Sequence, residues 1–176
     1  DVKKGDLGGY IEKEDNLSQY DNCWVYDDAM VIRDARICDN ARIYDRVIVN
    51  GLARVFGDAI VSDDAKVFDN AVLKDHAEIF DNAEIYGNAR VSGDAWVFGD
   101  AQVYDDAWIT NAAEVSDDAK VFGKAHVFGD ALVSDNAMVF NNAEVCGKAH
   151  VFGDALVSGN AMVTINATVC GNAHVY

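Results

Sequence analysis

Read from Val25, the chain divides without a slip into blocks of six residues, from VYDDAM and VIRDAR to VCGNAH and a closing VY. The first place of every block is Val, Ile or Leu. The fifth is Ala in 24 of the 25 complete blocks, the exception being Val47. Gly, Asp and Asn dominate the third and fourth places. A short fixed period of this kind marks a solenoid and outranks any local propensity argument. It also accounts for a lopsided composition: 25 Ala and 23 Val against six Leu, and no Pro in 176 residues.

The physics of one block is simple. In the stretch Ala-x-Val-x, side chains alternate, so Ala and Val point one way and the two x residues the other. β-Branched Val and Ile suit an extended strand. Pairs such as Gly57-Asp58, Asp69-Asn70 and Gly87-Asn88 then turn a corner, because Gly, Asn and Asp tolerate left-handed backbone values. Ala is small where the corner leaves little room. A Pro would delete a hydrogen bond between coils. Three blocks, one to a side, make a triangular coil. The phase extends back to Lys13, with Asp15-Asn16 and Asp21-Asn22 at corners and Leu17 and Cys23 in the Ala slot. The expectation is an all-β parallel β-helix of about nine coils, ~43 Å tall.

This pattern resembles the hexapeptide-repeat left-handed β-helix superfamily over residues 13–176, and the left hand is implied by that resemblance alone. The opening DVKKGDLGGYIEKEDNLSQYDNCWVYDDA is similar to YdcK-like β-helix proteins of bacteria and their phages, most specifically in Gly5-Asp6-Leu7-Gly8-Gly9-Tyr10-Ile11-Glu12. The superfamily includes acyltransferases and γ-class carbonic anhydrases, usually trimers. In those proteins Gly commonly follows the aliphatic residue directly. Here Gly or Asp comes one place later, and the place after Val is often aromatic.

Residues 1–12 break the frame and read as an N-terminal cap over the first coil, with the β-helix spanning 13–176. The chain stops mid-block at Tyr176, still in phase, so either something covers the last coil or the chain is cut short there, and the opening on Asp1 suggests a fragment or a processed product. A net charge of −16 argues against duplex nucleic acid or an anionic membrane as a partner. No apolar run is long enough for a membrane span. Cys23 faces inward, and Cys38, Cys146 and Cys170 face outward on strands too far apart to pair. Reduced thiols and a cytoplasmic location follow.

With a uniform interior, function must sit on the outer surface. Wrapped three blocks to a coil, the sequence stacks Phe68, Tyr86, Tyr104, Phe122 and Phe140 on successive coils of one face, with Ile48, Met138 and Leu156 beside them. Such ladders stabilise neighbouring strands by about 0.2–1 kcal/mol per pair. A continuous apolar stripe also marks an interaction surface. A second face carries Tyr26, Tyr44, Phe80, Phe98 and Phe152 with Trp24 and Trp96, interrupted by Ser62, Ser116 and Ser134. One corner is acidic: Asp27, Asp28, Asp45, Asp63, Asp64, Asp81, Asp100, Asp117, Asp118, Asp135 and Asp154. Asp is a good corner residue and favours solubility. The same carboxylates would also suit Ca²⁺, the one cofactor to be weighed, or imitate a nucleic-acid backbone.

His126, His150 and His174 are spaced by 24 residues, and VFGDALVS recurs identically at 127–134 and 151–158. On a three-sided coil each His falls on a different face, so no metal site and no catalytic constellation is expected within one chain. The reading is a non-enzymatic structural or binding rod that associates with itself, as dimer or trimer, through the aromatic face. Its alternatives are an acyltransferase-like enzyme with a site between subunits, and an acidic decoy for a nucleic-acid-handling protein partner.

Overall fold

The computed structural model describes residues 7–176. Among them, 27 strands of two residues each follow one another and pair in parallel to form three sheets. Sheet A has ten strands, from β1 (Tyr10–Ile11) to β27 (His174–Val175). Sheet B has eight, from β4 (Arg36–Ile37) to β25 (Met162–Val163). Sheet C has nine, from β2 (Trp24–Val25) to β26 (Thr168–Val169). From Trp24–Val25 onward each strand pairs with the third strand on in sequence, as in Lys120↔Met138 and Val121↔Val139, whereas Tyr10–Ile11 pairs with the second strand on, Met30–Val31. The molecule is a parallel β-solenoid of about nine coils, each built from three blocks. No α-helix occurs among the described residues; one 3₁₀ turn covers Glu14–Asn16. Among the described residues no helix is long and apolar enough to cross a membrane.

The alternation within each block becomes the core. From Ala29 to Val157 every Ala of the fifth place and every aliphatic of the first is at most 1% exposed. Burying one Val is worth on the order of 1.5–3 kcal/mol, so stability accumulates in small, nearly identical layers. The main chain is saturated in the same repetitive way. Outward residues donate to the next coil: Met138 N–H to Ala155 O, Phe140 N–H to Val157 O and Asn142 N–H to Gly159 O, each at 2.9 Å. The Ala N–H folds back over its own corner, as from Ala143 to Phe140 O at 3.4 Å. Nearly every place in the block therefore uses its N–H, and Pro has nowhere to go.

The corners depend on the third place. Fourteen non-glycine and eleven glycine residues there, from Asp27 to Gly171, all have φ between 50° and 76°. At Gly99 a Cβ would lie 2.7 Å from the Asp117 nitrogen of the next coil, so the backbones meet directly. Aspartates in the same place sit at φ of 50° to 61°, against 62° to 76° for the glycines. The smaller angle accompanies the presence of a side chain.

The first coil departs from the expected frame. Tyr10 pairs with Met30 and Ile11 with Val31, an offset of 20, whereas Trp24 pairs with Arg42 at 18. Leu17 bridges Ile37, so it takes an aliphatic slot and not the Ala slot. Asn16, which ends the 3₁₀ turn directly before Leu17, is fully buried and donates from Nδ2 to Arg33 O at 2.9 Å and Ala35 O at 2.8 Å. Two extra residues lie between Leu17 and Trp24. Cys23 is buried in the Ala slot, as the frame requires. Of residues 1–12, the first six lie outside the described residues. Gly9 N–H donates to Val25 O at 2.9 Å and Glu12 N–H to Val31 O at 3.0 Å.

A core this tight has no room at the fifth place. Ala101→Leu should lower stability by about 1–3 kcal/mol through overpacking, while the outward Gln102→Leu leaves it within about 0.5 kcal/mol. Thermal unfolding followed by circular dichroism reads both, and equal midpoints for the two variants would contradict the packing argument.

Candidate functional site

Sheet A presents two outward columns, one before and one after the buried aliphatic of each strand. The later column holds Phe68, Tyr86, Tyr104, Phe122 and Phe140. Their ring centroids are 4.8–5.0 Å apart and their planes within 3° of parallel. The parallel ladder dictates this: equivalent residues recur every ~4.8 Å, and five adjacent rings share one rotamer. All five are half-buried, because each covers the faces of its neighbours. What reaches solvent is a row of ring edges. Partial burial pushes the Tyr86 and Tyr104 hydroxyls above their ordinary range. Between Tyr10 and His174 at its ends, the earlier column reads Met30, Ile48, Lys66, Glu84, Gln102, Lys120, Met138 and Leu156, so apolar side chains flank a polar stretch in the middle. Lys66 Nζ and Glu84 Oε1 are 2.8 Å apart, and this bond raises the Lys66 pKa.

The corner between sheets C and A, corner C below, carries the eleven aspartates in two ranks. Third-place carboxylates accept the third-place N–H of the next coil. Asp45 accepts from Asp63 at 3.2 Å, Asp81 from Gly99 at 3.1 Å, Asp117 from Asp135 at 3.3 Å and Asp135 from Gly153 at 3.0 Å. The left-handed residue turns its N–H away from the backbone ladder, and the carboxylate below supplies the missing acceptor. The same contact recurs at the other corners, from Gly57 to Asp39 and from Gly123 to Asp105. Asp28, Asp64, Asp100, Asp118 and Asp154 form the outer rank. Arg46 is ion-paired with Asp64 there, and Asn136 donates to Asp154 at 3.1 Å. Among the described residues no cluster of three or more His, Cys, Asp and Glu is arranged to hold a metal ion.

Sheet B holds a group that sequence reasoning did not assemble. Arg90, Trp108, His126 and Glu144 are consecutive along one outward column. The Arg90 guanidinium lies 5.1 Å from the Trp108 ring centroid, and the His126 ring meets Trp108 edge-on at 5.4 Å. Phe128 packs beside the imidazole, tilted to it, with ring centroids 4.8 Å apart. Arg90, Trp108, His126 and Glu144, with Asp106 and Lys124, line an open depression of about 410 Å³. His126 Nε2 is buried without a hydrogen-bond partner. Burial pushes this imidazole below its ordinary range, and Glu144 opposes the shift. The three-block wrap contains the signal, but a column mixing Arg, Trp, His and Glu has no compositional theme to draw attention.

The second aromatic face is sheet C, where Tyr26 stacks on Tyr44 at 4.5 Å and Phe80 on Phe98 at 4.8 Å, with Trp96 edge-on to Phe80. His126, His150 and His174 stand on sheets B, C and A respectively. His76 sits at a corner with Asp58 at 3.7 Å and Asp94 at 3.4 Å. The four cysteines are unpaired, and burial raises the thiol pKa of Cys23, Cys38 and Cys146.

Two segments of the chain, residues 35–51 and 83–99, match the YdcK β-solenoid repeat. Each is about one coil long. The first starts at Ala35 before a strand of sheet B and the second at Ala83 before a strand of sheet A, so the match follows the six-residue block and not the side of the prism. No curated protein matches the chain.

Two outcomes test these assignments. Asp117→Ala should lower stability by about 1–2 kcal/mol, from the lost acceptor and the cost of Ala at positive φ. Asp117→Asn keeps an acceptor and should lose much less; equal losses would assign the effect to charge. Separately, His126 is held neutral in the fold. The stability this contributes is complete above the unfolded imidazole pKa of about 6.5 and declines as pH falls from there through the lower folded value. The melting temperature should therefore drop more steeply below that pH in the native chain than in His126→Phe, and parallel curves would refute the effect.

Proposed function

From a β-solenoid that carries the YdcK repeat, we propose a non-enzymatic rod that associates with itself through the outward face of sheet A. The observation that carries this reading is the five-ring column from Phe68 to Phe140, continued by Met138 and Leu156 in the adjoining column. A rigid, flat row of ring edges suits a second flat surface, since the rings are already ordered and lose little rotamer freedom on contact. A non-enzymatic role agrees with the smoothness of the prism: from Trp24 to Val175 strands recur every six residues, without a loop standing off the coils. Unpaired cysteines agree with a reducing, cytoplasmic compartment. The third-place aspartates of corner C have a role inside the fold, which favours the rod over the decoy.

Sedimentation velocity tests the reading. Tyr104→Lys combined with Phe122→Lys should shift the mass towards the monomer, with circular dichroism verifying that the coils are retained. A mass unchanged from that of the native chain would overturn it.

A further inference from the structure

Resting on that association, we infer that two copies pack sheet A on sheet A as parallel rods, about a two-fold axis running along the rod. The strands of sheet A all run from corner C to the opposite corner, called corner A here. Only two two-fold axes lie in the plane of such an interface along the directions of the prism. An axis along the strands makes the rods antiparallel and sets corner C against the partner's corner C. An axis along the rod makes them parallel and sets corner C against the partner's corner A, in both halves of the pair.

Charge decides between them. Corner C has eleven Asp and a single cation, Arg46. Corner A has Lys13, Arg33 and Lys124 against Glu14, Asp15, Asp34, Asp69, Asp105 and Asp106, with Lys13 ion-paired to Asp34. Immediately past corner A, the first outward column of sheet B brings Arg36, Arg54 and Arg90. Antiparallel rods would set the most acidic line of the molecule against itself. Parallel rods set it against an edge whose charges nearly balance and whose arginines lack acidic neighbours in their own column until Glu144. The two copies share one coil spacing, so a carboxylate meets the same edge on every coil.

The rings fit the same arrangement. The ring column is off-centre on sheet A, about 7 Å from the other outward column. An axis along the ring column lets rings meet rings and carries each acidic corner past the partner's corner A, towards those arginines.

A spin label at Ser158→Cys reads the orientation, in a chain with Cys38, Cys146 and Cys170 changed to Ser and the buried Cys23 retained. Ser158 and Asn50 flank the ring column at either end, and Tyr104 is its midpoint. Parallel packing puts the two labels at one height, separated by the ~10 Å spacing of packed sheets plus the label arms. Antiparallel packing about Tyr104 sets each label opposite Asn50, six coils and ~29 Å away along the rod. The expected result is the short distance, together with a dimer that weakens as salt rises from about 0.05 M to about 0.5 M. A dimer with the long distance, or one that tightens with salt, overturns the orientation and leaves association through sheet A intact. A chain monomeric at every concentration removes the association, and the orientation with it.

Discussion

From Asp27 onward each coil turns at every corner on a residue in the left-handed region, and the rest of the molecule is arranged around that requirement. A β-strand of two residues gains too little to hold its own direction. What holds it is the corner on either side, at φ of 50° to 76° without exception from Asp27 to Gly171. Such a residue sends its N–H out of the ladder, and a buried or half-buried donor needs an acceptor. Asp answers both demands at once: it tolerates the conformation and its carboxylate binds the N–H one coil on. Gly answers the first demand and lets the coils approach closest. Between them they fill nearly the whole third place, with Asn111, Asn141, Arg33 and Ile165 the exceptions. Ile165 is the costliest, since a β-branched residue is poorly tolerated there.

This alters the meaning of the net charge. A charge of −16 on a slender rod looks like a device for solubility or recognition. Much of it is hydrogen-bonding equipment. Third-place aspartates are paired to backbone in sequence along each corner, so their charge is a by-product of the acceptor they supply. The outer rank, such as Asp28, Asp100 and Asp118, is what remains to face other molecules.

The fold was legible because each block repeats one local solution: Ala and Val inward, Gly or Asp at the corner. Wrapping three blocks to a coil places Phe68 to Phe140 in one column, and the three-sheet ladder stacks them. Two things were not legible. The first coil does not keep the register of the frame, because a 3₁₀ turn ends on a buried Asn16 whose side chain satisfies two carbonyls, and two residues are added before Trp24. A period count sees Leu17 and Cys23 as equivalent; only the pairing of Leu17 with Ile37 separates them. The column Arg90, Trp108, His126, Glu144 was also missed. Its members share no chemical class, and their contacts arise from adjacency across strands that lie three blocks apart in the sequence.

His126, His150 and His174 stand in equivalent block positions on three different sides of the prism. The interior cannot distinguish those sides, since every side offers the same Ala and the same aliphatic residue. Gain or loss of a whole block is therefore almost invisible to the core. It is drastic for the exterior, because all that follows is turned by a third of a revolution and each column is cut and rejoined to a different one. Stability and surface identity thus answer to different units, one block for the first and three for the second. A five-ring column in unbroken order is a feature that a single one-block slip anywhere between Phe68 and Phe140 would have divided between two faces.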